Sequence, residues 1–508
     1  MISCSDDPEI EEPVVEKTDL KYTYSDVCAN YYRTSNAIPN KGEPKLLVLP
    51  IYFNDSSDFI PESKKETVRA DIQTAFFGTK EEIGYDSVSS YYSTLSVNKC
   101  NLKGIVSNWI EINDTYFNYS VDEEFTATLC KQAVEQYFST SNDVRKSYDL
   151  DGNGYLDGVV LIYAAPDHDN IPRGKNYSNF WAYTNWVSNA KKDVESPNVC
   201  NFMWASYDFM YSKTTASERA GSFYGSGDNS ACSLDTHIYI HEIGHMFGLI
   251  DYYDYSYQFN PAGGFSMQDC NIGSHDPYSV MALGWASPYI PTESCTITLN
   301  TFQSSRDCII LCNTWNEIDS PFDEYLVVEF YSPDGLNEYD HLHQYQGYRP
   351  TGPNECGIRL WHVDARLVYD SMKDASKITC DPTIATSKVM HMMSNTYGGG
   401  DAKAYTSPLG SAFTKYNLLQ LIRNEVTETY QPNNNFDKYS LFKNGDKFSM
   451  NTFGKQFPNS AKLNQNKVLG WTFSVEITEN QAKIALTRTI WTTHHLRKLR
   501  GGRFLGKI

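Results

Sequence analysis

The sequence predicts an α+β protein with a mixed helix-and-strand first half and a β-rich, sandwich-like second half. Three observations predict it. Strand candidates alternate with helical patterns up to about residue 165, a helix over 236–249 carries the spacing H-E-x-x-H, and short apolar or alternating runs separated by polar turns follow Trp285. A chain of 508 residues exceeds what one hydrophobic core usually serves, so several domains are expected. The boundaries read as a flexible leader or tether over 1–20, a first domain over 21–290, a β-rich domain over 291–485 and a basic tail over 486–508.

The elements follow in order. Residues 45–53 are apolar nearly throughout and read as a buried strand. Helical character returns over 66–77 and 87–95, a second strand is expected over 100–106, and a third helix over 125–138 places Ala127, Cys130, Ala133, Val134 and Tyr137 on one face. The apolar run 158–165 is another strand. Residues 166–235 show little periodicity; 180–183 and 201–211 read as strands bordering a cleft, with their aromatics assigned to core packing, and 217–233 as loop. The helix over 236–249 has Asp235 or Thr236 as its N-cap. Strands are then expected over 295–300, 307–312, 324–331, 357–363 and 471–477, and surface excursions over 388–460. His362 and Asp364, on one of these strands, read as structural.

The chemistry concentrates on His241, Glu242 and His245. A helix advances about 100° per residue, so residues four apart lie roughly 40° off alignment on one face. His241 and His245 can therefore meet one ion, with Glu242 close enough to act as a base on water there. Gly248 can take the left-handed conformation that ends a helix and turns the chain back, so that Asp251 faces the same ion. Two imidazoles and a carboxylate leave a fourth position open, as in a catalytic zinc site. A three-residue shift of the turn would present Asp254 instead; Asp251 is preferred.

The extended pattern H-E-x-x-H-x-x-G-x-x-D is that of metzincin-like zinc peptidases. Together with Gly248 to Asp254, Gly263 to Asp269, Asp276 to Ser279 and Ala282 to Trp285, it resembles the immune inhibitor A type of secreted bacterial metallopeptidases. The resemblance covers roughly 45–485 and is strongest over 236–285. It implies a metzincin-like zinc peptidase catalytic domain, a methionine floor under the metal at Met267, and hydrolysis of extracellular proteins or peptides. Ser266 departs from the Asp usual before that Met, which touches a local hydrogen bond rather than the metal.

A second oxygen-rich stretch precedes the strand at 158. Asp149, Asp151, Asn153, Tyr155 and Asp157, with Gly154 at the sixth place, reproduce the first nine positions of an EF-hand loop. Val160 stands at the twelfth, so a full EF-hand is excluded and calcium would need another carboxylate or waters.

Charge and cysteines narrow the setting. With 62 Asp plus Glu against 43 Lys plus Arg, the net charge is -19, which repels phosphate backbones and disfavours nucleic acid as a partner. Twelve cysteines include no C-x-x-C set, so a structural zinc ribbon is not expected, and their spacing assigns no disulfides. Cys28 is a candidate switch thiol. The start, Met1-Ile2-Ser3-Cys4 before an acidic run, resembles the end of a bacterial lipoprotein signal, with Cys4 as the lipid anchor; neither an intact secretion signal nor a transmembrane helix is read. The basic tail reads as a membrane or polyanion contact or as an appended stretch. The expectation is an extracellular or surface-held zinc endopeptidase of unassigned oligomeric state. The alternative is an inactive adhesin or binding protein on the same fold.

Overall fold

The computed structural model describes residues 13–31, 36–115, 123–167, 181–211, 232–345 except 256 and 258, 349–369, 378–384, 390–395, 417–430 and 433–489 except 459. The fold is α+β, with several sheets. Among the described residues no helix is long and apolar enough to cross a membrane.

The first sheet is built on β1 (Lys45–Phe53), flanked by β2 (Lys103–Val106), β3 (Ile110–Ile112) and β4 (Gly158–Tyr163), and continues through β5 (Tyr183–Trp186) and β6 (Asn201–Ser206). Its order is β2-β1-β4-β6-β5, with β3 also paired to β1. All pairs are parallel except β5 with β6, which places an antiparallel strand at one edge. Parallel strands covered on both faces need apolar side chains at every position, which is why β1 and β4 read as unbroken apolar runs. The helix His237–Met246 packs against β5 and β6, and the helices Lys65–Phe77 and Val88–Leu95 complete its surroundings.

The second half contributes two antiparallel sheets. One has β8 (Cys308–Leu311), β9 (Glu324–Tyr331), β10 (Gly357–Asp364) and β13 (Leu419–Ile422); the other has β7 (Cys295–Asn300), β14 (Lys447–Ser449), β15 (Trp471–Ile477) and β16 (Gln481–Arg488). A short pair, β11 (Leu367–Tyr369) and β12 (Met390–Met392), lies apart. Ile309, Val328, Leu360 and Ile422 face the second sheet across a core shared with Ile297, Phe473 and Ile484. Their neighbours in sequence, Ile310, Val327, Trp361 and Leu421, point the other way, into the core that surrounds the His237–Met246 helix.

That arrangement corrects the boundary expected at 290. The sheet of β8, β9, β10 and β13 is a common wall between two cores, and the first core runs on to Leu441. Three further expectations change. Residues 13–20 are packed rather than a free tether: Lys17 bridges Tyr289 and pairs with Asp307, the Thr18 amide donates to the Pro288 carbonyl at 2.8 Å, and Val15 rests on the second core. Of the stretch 388–460 expected as surface excursions, the described residues supply the strands β12, β13 and β14, while 388–389, 396–416, 431–432 and 459 lie outside the described residues. The strand β16 runs past 485 to Arg488, whose guanidinium lies over the Trp471 ring and donates to the carbonyls of Thr292 and Asn313. Cys4 and residues 490–508 lie outside the described residues.

A two-faced wall makes a direct prediction. Val327→Ala and Val328→Ala remove the same atoms from opposite faces of β9, and each should cost about 2 kcal/mol of unfolding free energy, measured by urea denaturation. If only Val328→Ala destabilised, the wall would have one solvent face and the boundary at 290 would stand.

Candidate metal centre

The helix His237–Met246 is held from both sides. Tyr92 donates its hydroxyl to the Ile240 carbonyl at 2.6 Å, Tyr239 donates to the Ser206 carbonyl at 2.7 Å, and the Thr184 hydroxyl on β5 donates to the Glu242 carbonyl at 2.8 Å. At its start Asp235 Oδ1 accepts from the His237 amide at 3.1 Å, while Thr236 spends its hydroxyl on the Asp86 carbonyl. At its end Gly248 takes φ +102°, and a β-carbon there would lie 2.7 Å from Cys28 Sγ. Only glycine suits this turn, which brings the chain back along the helix. The thiol of Cys28 is thus buried under the turn, and burial pushes its pKa up to about 12, the reverse of what a reactive switch thiol needs.

The turn closes a triangle. His241 Nε2 and His245 Nε2 are 3.1 Å apart, and Asp251 Oδ1 lies 3.1 Å from the first and 3.3 Å from the second. These three residues form a group able to hold a metal ion. Asp254 is buried and does not join it. Each imidazole is oriented from behind, with His241 Nδ1 at 2.8 Å from the Met267 carbonyl and His245 Nδ1 at 2.8 Å from the Leu249 carbonyl. A carbonyl can only accept, so each Nδ1 carries the proton and each Nε2 offers a lone pair to the triangle.

At this site two buried carboxylate oxygens, Asp251 Oδ1 and Glu242 Oε2, have no hydrogen-bond partner among the described residues. Burial without a donor is costly for an anion unless a cation compensates. Burial raises the pKa of Glu242, against the pull of His245 and His241. For Asp251 burial acts upward as well, but the adjoining His245 and His241 outweigh it and hold the carboxyl far below its usual range. His245 shows the reciprocal effect: burial lowers it, and the Asp251 charge overrides this and raises it to about 9. Without a cation, a proton is drawn into the triangle.

The turn after the helix braces the site. Met267, fully buried, meets His241 through its backbone carbonyl. Ser266 Oγ lies 3.3 Å from Asp276 Oδ2, so the serine keeps a local hydrogen bond where the related pattern has Asp. A β-carbon on Gly244 would stand 2.2 Å from Gln268 Oε1, so a bare fourth position of H-E-x-x-H lets the Gln268 amide approach as it does here. The partners from the second half were not legible: Arg359 Nη1 donates to the Phe265 carbonyl at 3.2 Å, and Asn395 joins the carbonyls of Tyr252 and Leu419 at 2.7 Å each. His362 and Asp364 sit in the wall, bonded to Glu324 and to Asn464 and Arg366, away from the triangle.

In the loop read for calcium, oxygens of Asp149, Asp151 and Asp157 lie within 4.8 Å of one another. The Asn153 side-chain oxygen accepts from the Tyr155 amide at 2.9 Å, and Tyr155 pairs with Asn198. Asp157 is buried, which raises its pKa to about 7, despite hydrogen bonds from the Lys45 and Leu150 amides.

A buried ion pair that spacing alone did not single out begins the helix. His237 Nδ1 is 2.8 Å from Asp235 Oδ1 and Nε2 is 2.9 Å from Asp340 Oδ1, with the ring stacked between Tyr85 and Tyr345. It lies one helical turn before His241, which was a signal; its partner Asp340 is about a hundred residues on, which was not. Burial lowers its pKa, but the charges of Asp340 and Asp235 prevail and raise it to about 9. A histidine raised above its unfolded value of about 6.5 stabilises fully below that pH and loses the contribution as pH rises through 9. The parent should therefore lose on the order of 3 kcal/mol between pH 6.5 and 9 that His237→Phe does not lose, read as the difference in urea stability of the two chains. Parallel pH curves would show that His237 is neutral in the fold.

No known family model matches this chain, and no curated protein matches it either; its function is therefore argued from the chemistry of this triangle.

Proposed function

We propose that the chain is a zinc-dependent endopeptidase, and the observation that carries the proposal is the near-equilateral triangle beside the unpartnered Glu242 Oε2. Zinc bound tetrahedrally at about 2.0–2.1 Å separates its ligand atoms by roughly 3.3 Å, close to the edges of this triangle, and a set of two imidazoles and one carboxylate suits it. When bound, zinc supplies a Lewis acid that lowers the pKa of water toward about 7 and polarises a carbonyl. Glu242 Oε2 accepts the proton of the attacking water and passes it to the leaving nitrogen. Burial raises the carboxyl's pKa, which makes it a stronger acceptor for the proton of the water.

The edge strand supports a peptide substrate. Among the described residues the strand β5 pairs with β6 at the edge of the sheet and is tied by Thr184 to the residue that acts as base, a place where an extended peptide laid along the strand would run past the triangle. This strand, the H-E-x-x-H-x-x-G-x-x-D ligands and the turn at Met267 together support a metzincin-like catalytic domain of the immune inhibitor A type.

Glu242→Gln should keep about one zinc per chain and cut cleavage of an unfolded protein such as casein by roughly 10²–10⁴-fold, and a chelator should abolish cleavage in the parent. Zinc in both chains with cleavage in neither would favour the binding-protein reading.

Calcium at Asp149, Asp151 and Asp157 is a second proposal, resting on three carboxylates that repel one another when no cation is near. Calcium at about 10 mM should then stabilise the parent by about 1–3 kcal/mol if the site binds at 10⁻⁴–10⁻³ M, seen as a rise in Tm. Asp151→Asn should lose most of that rise; an equal rise in both would place the effect elsewhere.

A further inference from the structure

We infer that Tyr255 is a positioning residue that keeps Asp251 a one-oxygen ligand; the inference rests on the zinc reading above. The two oxygens of this carboxylate are treated differently by the fold. Oδ1 points into the triangle and has no hydrogen-bond partner, whereas Oδ2 accepts the Tyr255 hydroxyl at 2.6 Å. Tyr255 follows Asp251 by four residues, on the loop after the Gly248 turn, and its ring lies 5.3 Å from that of Tyr253. The phenol thus has a fixed ring behind it and a fixed acceptor ahead.

The consequence concerns coordination number. A carboxylate swings easily between binding through one oxygen and through two. If Oδ2 turned inward it would occupy the space that two histidines and one oxygen leave open for water. The Tyr255 hydrogen bond opposes that swing, because turning Oδ2 inward would break a short bond from phenol to carboxylate. It also fixes the orientation of the ligand in advance, as hydrogen bonds to metal-bound carboxylates do. Tyr255 touches neither the metal nor a substrate in this account; it acts through Asp251.

The test uses the full chain loaded with cobalt(II) in place of zinc, whose visible absorption is several-fold stronger at four-coordinate than at five-coordinate sites. The parent should take up one cobalt and show the strong four-coordinate band. Tyr255→Phe, which removes only the hydroxyl of a part-exposed ring, should weaken the band at least twofold and weaken zinc binding about 10-fold in competition with a chelator. Tyr257→Phe, on the same loop and 80% exposed, should match the parent in both. A Tyr255→Phe spectrum and affinity equal to the parent's would overturn the role of Tyr255 while leaving the zinc site intact. A parent that takes up no metal would overturn the zinc reading, and this inference with it.

Discussion

Two carboxylate oxygens buried without donors set the terms for the rest of the molecule. Asp251 Oδ1 and Glu242 Oε2 are held where water is largely excluded, beside two imidazole nitrogens whose protons are committed elsewhere. Such a concentration of lone pairs is unfavourable by itself and has to be held in place by the surrounding fold. Each neighbouring feature serves that end. The bare Gly244 lets Gln268 approach, the left-handed Gly248 returns the chain, and backbone carbonyls from Met267 and Leu249 fix the rings.

The second half of the chain is part of that support. Asp340 bonds both His237 at the head of the helix and the Gly273 amide in the turn below it, and Asn337 accepts from the Ser274 amide. Arg349 reaches the Cys270 carbonyl, and Arg359, itself paired with Glu329, reaches Phe265. The turn that carries Met267 is therefore pinned between the helix above and a strap and wall contributed by residues 329–359. A merely appended β domain would leave these groups unpaired.

The parts of this that the sequence revealed share one property: they are local. A spacing of four on a helix, a glycine at the end of a turn and an unbroken apolar run all act within a dozen residues, and the meeting of His241, His245 and Asp251 and the strands β1, β2, β4 and β6 could be read from them, whereas β3 could not. The double role of the wall could not. The apolar run Glu324–Tyr331 shows that both faces are covered, but nothing in it says by what. The packed residues 13–20 include Glu16, Lys17, Thr18 and Asp19, as a tether would, and partners far along the chain, Tyr289, Pro288 and Asp307 among them, hold them. Long-range pairs such as His237 with Asp340 leave a local trace at one end alone, so half of the support for the site stayed hidden.

The common wall also governs the order in which this protein can fold. The strand β9 must find β10, which must in turn find β13 some sixty residues later, and β7 pairs with β16 near the end of the described chain. Closing such separated pairs costs chain entropy before it returns any contact, which slows folding. A chain emerging from the ribosome has its histidines and Glu242 long before the wall that fixes the turn beneath them. The interval between synthesis of the helix and arrival of the last strand is one in which apolar faces on both sides of β9 stand open, and it is there that the nascent chain is most exposed to aggregation and to helper proteins.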